Sequence, residues 1–184
     1  MTELRRVAVY CGSASGRRPV FAESARRLAA AMVGRSIDLV YGGAHVGLMG
    51  LLADTVMAGG RRATGVIPRS LVEREVAHRG LDDLRVVGTM HERKALMADL
   101  ADAFLAIPGG LGTLDELFEV WTWAQLGLHR KPIGLLNVAG YFDPLLTFLD
   151  HATAEGFVGA AHRATLLVDA DPEALLERMA IALG

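Results

Sequence analysis

The 184-residue chain is expected to fold as a Rossmann-like, doubly wound α/β domain with a mostly parallel sheet of about seven strands and helices on both faces. Three observations predict this. Apolar, β-rich runs alternate with amphipathic segments from end to end; several of these runs are apolar throughout; and glycine-rich turns follow three of them. A strand that is apolar on both faces is covered on both faces, as in a parallel sheet. Strict β/α alternation then implies right-handed crossovers.

Strands are expected at Arg6–Cys11, Ile37–Tyr41, Ala63–Ile67, Leu84–Val87, Ala103–Ile107, Ile133–Asn137 and Thr165–Val168. Helices are expected at Val20–Gly34, Leu48–Ala58, Met90–Leu100, Leu114–Leu126, Phe142–Ala154 and Pro172–Leu183. In the first helix, Leu28, Met32 and the neighbouring alanines form the stripe that would be buried. With no repeat, low-complexity tract or long linker, residues 1–184 read as a single nucleotide-binding domain.

Composition narrows the function. Hydrophobic residues make up 52% of the chain and charged residues 22%, the balance of a globular domain rather than a disordered one. The formal net charge is −2, and the basic residues come at most in arginine pairs, which argues against a nucleic-acid groove. The lone cysteine, Cys11, precludes an internal disulfide and suits a reducing, cytoplasmic setting. Neither a signal core nor an apolar stretch near the ~20 residues of a membrane span is visible, so no membrane partner is expected.

Chemistry is expected in the loops after the strands, because ligands of doubly wound sheets bind there. Three such loops are glycine-rich: CGSASG (Cys11–Gly16), YGGAHVGLMG (Tyr41–Gly50) and PGGLGTLDE (Pro108–Glu116). None is a dinucleotide fingerprint, since Asp115 stands where a third glycine is needed, and no Walker A loop occurs. Glycine loops leading into helices let backbone N–H groups approach an anion closely, and three of them at one sheet edge favour a phosphate-bearing ligand. The same glycines also fit a plainer reading, as tight turns and packing contacts.

Two further stretches carry a double reading. Thr113 and Glu116 have the T-x-x-E spacing of a capping box, with Thr113 capping a helix and Glu116 reaching back to it. That reading leaves a carboxylate beside the expected phosphate site. MHERK (Met90–Lys94) either brings cations to that sheet edge or is a solvated charged turn. It begins like the H-E-x-x-H zinc motif, but Ala95 replaces the second histidine, and none of the six histidines shows ligand spacing; no metal is expected.

YGGAHVGLMG, MHERK and PGGLGTLDE, in this order and at these intervals, resemble the Lonely Guy family of cytokinin-activating phosphoribohydrolases. The resemblance runs from VAVYCGS (Val7–Ser13) to IGLLNV (Ile133–Val138). It implies hydrolysis of the N-glycosidic bond of a purine riboside 5′-monophosphate, the base being adenine or an N6-modified adenine, without a cofactor. It also implies that Arg93 and Glu116 are catalytic. Substrate contacts are implied for Glu75, Arg93, Lys94, Gly110, Leu111, Gly112, Thr113, Leu114, Asp115, Glu116 and Thr122, and further for Ser13, Gly42 and Gly43. Two positions depart from the family pattern: Asp115 replaces a common glutamate, and Ala44 a common third glycine.

A homodimer is implied as well, with Trp121, Trp123 and Leu126 as an apolar face that could equally belong to the core. The competing function is a non-catalytic nucleotide carrier or sensor. A pyridoxal phosphate decarboxylase, the label often given to such sequences, would need a Schiff-base lysine, and only Lys94 and Lys131 are present.

Overall fold

The computed structural model describes residues 3–74, 76–81 and 83–184. Its strands are β1 (Arg6–Tyr10), β2 (Asp38–Tyr41), β3 (Ala63–Pro68), β4 (Asp83–Val87), β5 (Ala103–Ala106), β6 (Ile133–Leu136) and β7 (Leu166–Asp169). The longer helices are α1 (Pro19–Gly34), α2 (Gly47–Ala58), α4 (Met90–Leu100), α5 (Leu111–Gln125), α6 (Asp143–Ala154) and α8 (Pro172–Leu183). Two single-turn helices, α3 (Arg69–Val72) and α7 (Ala160–Arg163), and a 3₁₀ turn at Val138–Gly140 complete the set. These three are too short to show a 3.6-residue apolar period, which is why the sequence pattern does not reveal them.

All seven strands pair in parallel, in the order β4-β3-β2-β1-β5-β6-β7. The order reverses between β1 and β5, so their following loops diverge to opposite faces and open a crevice at that point. Central strands are the apolar ones: all of β5 and β6 and Val7–Tyr10 of β1 are buried. The edge strand β4 keeps Arg85 and Val86 exposed, and its charged residues discourage further pairing.

Two apolar layers sandwich the sheet. On one face α1, α2 and α8 supply Leu28, Met32, Leu52, Val56, Leu176 and Met179. On the other, α4, α5 and α6 supply Met97, Leu117, Val120, Trp121 and Leu149. Removing each such side chain from water is worth roughly 1.5–3 kcal/mol. Among the described residues no helix is long and apolar enough to cross a membrane.

One boundary moves in a way that matters. Helix α5 begins at Leu111, with Gly110 as its N-cap, and not at Leu114. Thr113 is therefore inside the first turn and Glu116 inside the second, so the two do not form a capping box. The box lies one helix earlier. Thr89 caps α4 by accepting from the Glu92 N–H (3.1 Å), while the Glu92 carboxylate accepts from the Gly88 N–H (2.7 Å). The T-x-x-E spacing is present at both places, and the two glycines before Leu111 let the backbone enter the helix early.

Candidate active site

The crevice at the β1/β5 reversal is held shut at its base by backbone. The Gly12 N–H donates to Pro108 O (3.1 Å) and the Ile107 N–H to Tyr10 O (3.0 Å). Gly109 sits so close to Gly12 and Thr113 that a Cβ there would fall on the Thr113 hydroxyl. This is the physical use of the second residue in P-G-G: two loops cross without side chains between them.

Above this crossing lies a cavity of about 270 Å³. Its polar wall is Ser13 and the start of α5, Gly110 to Thr113, with Arg93 and Glu116 at its depth. Val9, Cys11, Met49 and Leu71 form the apolar wall. The first intrahelical bond of α5 is from the Leu114 N–H to Gly110 O (3.2 Å), so the N–H groups of Leu111, Gly112 and Thr113 precede it and are unused within the helix. A helix start with free amides on a cavity wall favours a bound anion.

Arg93 and Glu116 are joined here. Arg93 Nη2 stands 3.3 Å from Glu116 Oε1, and only about a tenth of either side chain is exposed. Arg93 also donates from Nε to Val66 O (3.0 Å), which fixes the plane of the guanidinium. Gly42 packs against its face, where any larger residue would displace it. Burial pushes the Glu116 carboxyl above its ordinary range, and the Arg93 charge only partly offsets this. An ionised carboxylate with that surrounding costs stability, and such groups concentrate at functional sites. Burial first, and then the Glu116 charge, push the Tyr10 phenol and the thiol of the wall residue Cys11 above their ordinary ranges.

Of the residues named from sequence, Ser13, Gly42, Arg93, Gly110, Leu111, Gly112, Thr113 and Glu116 line this one cavity. Others do not. Gly43 turns toward β3 and β4, and its carbonyl accepts the His78 N–H (2.8 Å). Leu114 packs against the apolar layer beneath α5. Thr122 is exposed farther along α5, and Glu75 lies outside the described residues. Lys94 points away from the cavity, to Asp115 (3.1 Å) and Glu119 (3.0 Å) of α5. Burial would lower its pKa, but hydrogen bonds to Glu119 and Asp115 outweigh burial and raise it. Lys94 and Asp115 thus tie α4 to α5, which sets the spacing between Arg93 and Glu116.

The sequence reading missed the apolar wall. Met49 and Leu71 carry no chemical signature, and only the crossing of α2 and α3 over the sheet edge brings them there. Trp121 settles in the core, its indole N–H donating to the Thr165 hydroxyl (3.1 Å). Trp123 packs partly against the same layer, while Leu126 is exposed.

A family model described as "Possible lysine decarboxylase" matches residues 49–179. The cytokinin riboside 5′-monophosphate phosphoribohydrolase LOG of Oryza sativa subsp. japonica is 54% identical over 90% of this chain and 69% of its own length. The cytokinin riboside 5′-monophosphate phosphoribohydrolase LOG7 of Arabidopsis thaliana is 49% identical over 97% of this chain and 82% of its own length. The chain belongs to the Lonely Guy family.

Solved structures add the fold. The molybdenum cofactor binding protein of Rippkaea orientalis superposes with a TM-score of 0.74 at 20% identity, covering all of both chains. The molybdenum cofactor carrier protein of Chlamydomonas reinhardtii gives 0.70 at 19% identity over 96% of this chain and 98% of that one. At such identities only the architecture is shared. The decarboxylase label of the Lonely Guy family model finds no lysine to support it. Lys94 is held by two carboxylates, and Lys131 donates to Ala98 O (2.7 Å) outside the cavity.

Proposed function

We propose that this protein hydrolyses the N-glycosidic bond of a purine riboside 5′-monophosphate, AMP or its N6-modified forms, to the free base and ribose 5-phosphate. The buried Arg93–Glu116 pair beside the free amides of α5 carries this reading. The 5′-phosphate would accept from the amides of Leu111 to Thr113 and from Ser13, with the helix start adding positive potential. The ribose would then lie deeper, with C1′ toward Glu116. Breaking the bond develops positive charge on the sugar, and a carboxylate fixed beside it stabilises that charge and can activate the attacking water. Arg93, held at two points, keeps the carboxylate in place as a rigid planar fork.

Incubating the protein with AMP and with isopentenyladenosine monophosphate, then separating the products, tests this. Free base and ribose 5-phosphate are expected, and in undiminished amount after exhaustive chelation, since the reading assigns no step to a metal. Tight AMP binding without cleavage would transfer support to the carrier reading.

We further infer a cytoplasmic homodimer. Leu111 is 87% exposed at the cavity mouth, and Met90 at the start of α4 is exposed too, apolar surface that a second subunit would cover. Thr122, if it contacts substrate as the family resemblance implies, does so in a partner's cavity, because it does not line its own. Light scattering is expected to give twice the 19.6 kDa chain mass. A monomer mass at working concentration rules the dimer out.

A further inference from the structure

A second cleft of about 290 Å³ lies on the other side of the glycine loop. Phe21, Leu48, Pro108 and Tyr141 are among its walls, and it shares only Ser13 and Gly110 with the catalytic cavity. The Gly109–Gly110 segment is thus the partition between the two. On the cleft side, the Tyr141 hydroxyl donates to Gly109 O at 2.6 Å.

The route by which Tyr141 reaches that carbonyl is costly. Two successive residues before it, Ala139 (φ 50°, ψ 35°) and Gly140 (φ 73°), are left-handed, and Ala139 carries a side chain there. Asn137 holds the turn, its Oδ1 accepting the Phe142 N–H (2.8 Å) and its Nδ2 donating to Asp143 Oδ1 (2.7 Å). The edges of Phe21 and Phe142 meet the Tyr141 ring at centroid distances of 5.6 and 4.9 Å. Yet Tyr141 stays 43% exposed, so packing alone does not account for it. The consequence lies across the peptide bond. Gly109 C=O and Gly110 N–H belong to one planar unit and point in opposite directions. A phenol that pins the carbonyl toward the cleft therefore turns the N–H away from it, toward the cavity. It also polarises that amide as a donor. No partner for the Gly110 N–H occurs among the described residues.

We propose that Tyr141 is a positioning residue: it orients the Gly109–Gly110 peptide so that the Gly110 N–H serves as an additional donor to the substrate's 5′-phosphate. This rests on the phosphate placement given under Proposed function. The residue acts on ground-state binding and not on the bond cleaved, because the phosphate keeps its charge through the reaction.

Tyr141→Phe keeps the ring and removes the donor. The expected result is a rise of about five- to ten-fold in KM for AMP and in the inhibition constant of ribose 5-phosphate, the loss of one hydrogen bond to a fixed group. Turnover and melting temperature should stay near parental values. Tyr141→Ala should show the same binding loss plus a lower melting temperature, from the missing ring. If ribose 5-phosphate inhibits parent and Tyr141→Phe equally, Tyr141 is only a wall and the inference falls while the phosphate reading stands. If ribose 5-phosphate does not compete with AMP in the parent protein, the phosphate reading falls and takes this inference with it.

Discussion

Glu116→Gln is expected to give a folded, nucleotide-binding protein whose turnover has dropped by about 10²–10³-fold, the usual loss when one preorganised charge is removed from a transition state. Glutamine keeps the volume and one acceptor for Arg93 but no charge to set against the oxocarbenium ion. Because Glu116 does not cap α5, the helix start is untouched, and the loss cannot be attributed to fraying. Near-parental turnover would defeat the catalytic assignment.

The raised pKa of Glu116 adds a second signature, with a definite sign. Its carboxyl is neutral in both folded and unfolded chains below the ordinary carboxylate range, so burial carries no ionisation cost there. As pH rises through the raised folded value, the charged form is disfavoured only in the folded protein, and stability is lost. Glutamine is neutral throughout. The melting temperature of Glu116→Gln relative to the parent should therefore rise as pH climbs above the ordinary carboxylate value of about 4.5. Parental activity should change the opposite way, climbing with pH along an acid limb that lies above the ordinary glutamate range. A thermal-shift series in matched buffers, beside a pH–rate profile, reads both. A difference in melting temperature that is flat with pH would show that Glu116 ionises like an exposed side chain.

Gly42→Ala is the other large effect expected. A methyl group at Gly42 would land on the Arg93 guanidinium and come 3.1 Å from the Met49 sulfur. Both are side-chain ends, so the fold can adjust, but Arg93 must leave the position in which it meets Glu116 at 3.3 Å. Misplacement of a catalytic group by about 1 Å costs on the order of 10² in rate. We expect a loss of that size in kcat with circular dichroism unchanged. Gly34→Ala is the control: its added carbon meets nothing within 4 Å at the end of α1, and activity should be parental. Equal activity in Gly42→Ala and Gly34→Ala would mean that the seat of Arg93 is not critical.

Residue order alone fixed the class of fold, because a parallel sheet covered on both faces demands continuous apolar strands, and β1, β5 and β6 supply them. It also singled out PGGLGTLDE and MHERK, whose Glu116 and Arg93 the fold brings to one cavity, since glycines at a strand end and charges opening a helix are local features. Local spacing could not decide between two uses of the same pattern. T-x-x-E caps a helix at Thr89–Glu92 and does not at Thr113–Glu116. The difference lies in where the backbone enters the helix, which the crossing of Gly109 over Gly12 imposes from a strand far away in sequence. Likewise Arg93 and Lys94 are neighbours in the chain, but successive residues on a helix point about 100° apart. Tertiary packing then sent Arg93 to Glu116 in the cavity and Lys94 to Asp115 and Glu119 beside it. The apolar wall of Met49 and Leu71 and the reach of Tyr141 to Gly109 depend on residues more than twenty positions apart in the chain. Long-range packing selects those partners, and no local pattern in the chain encodes them.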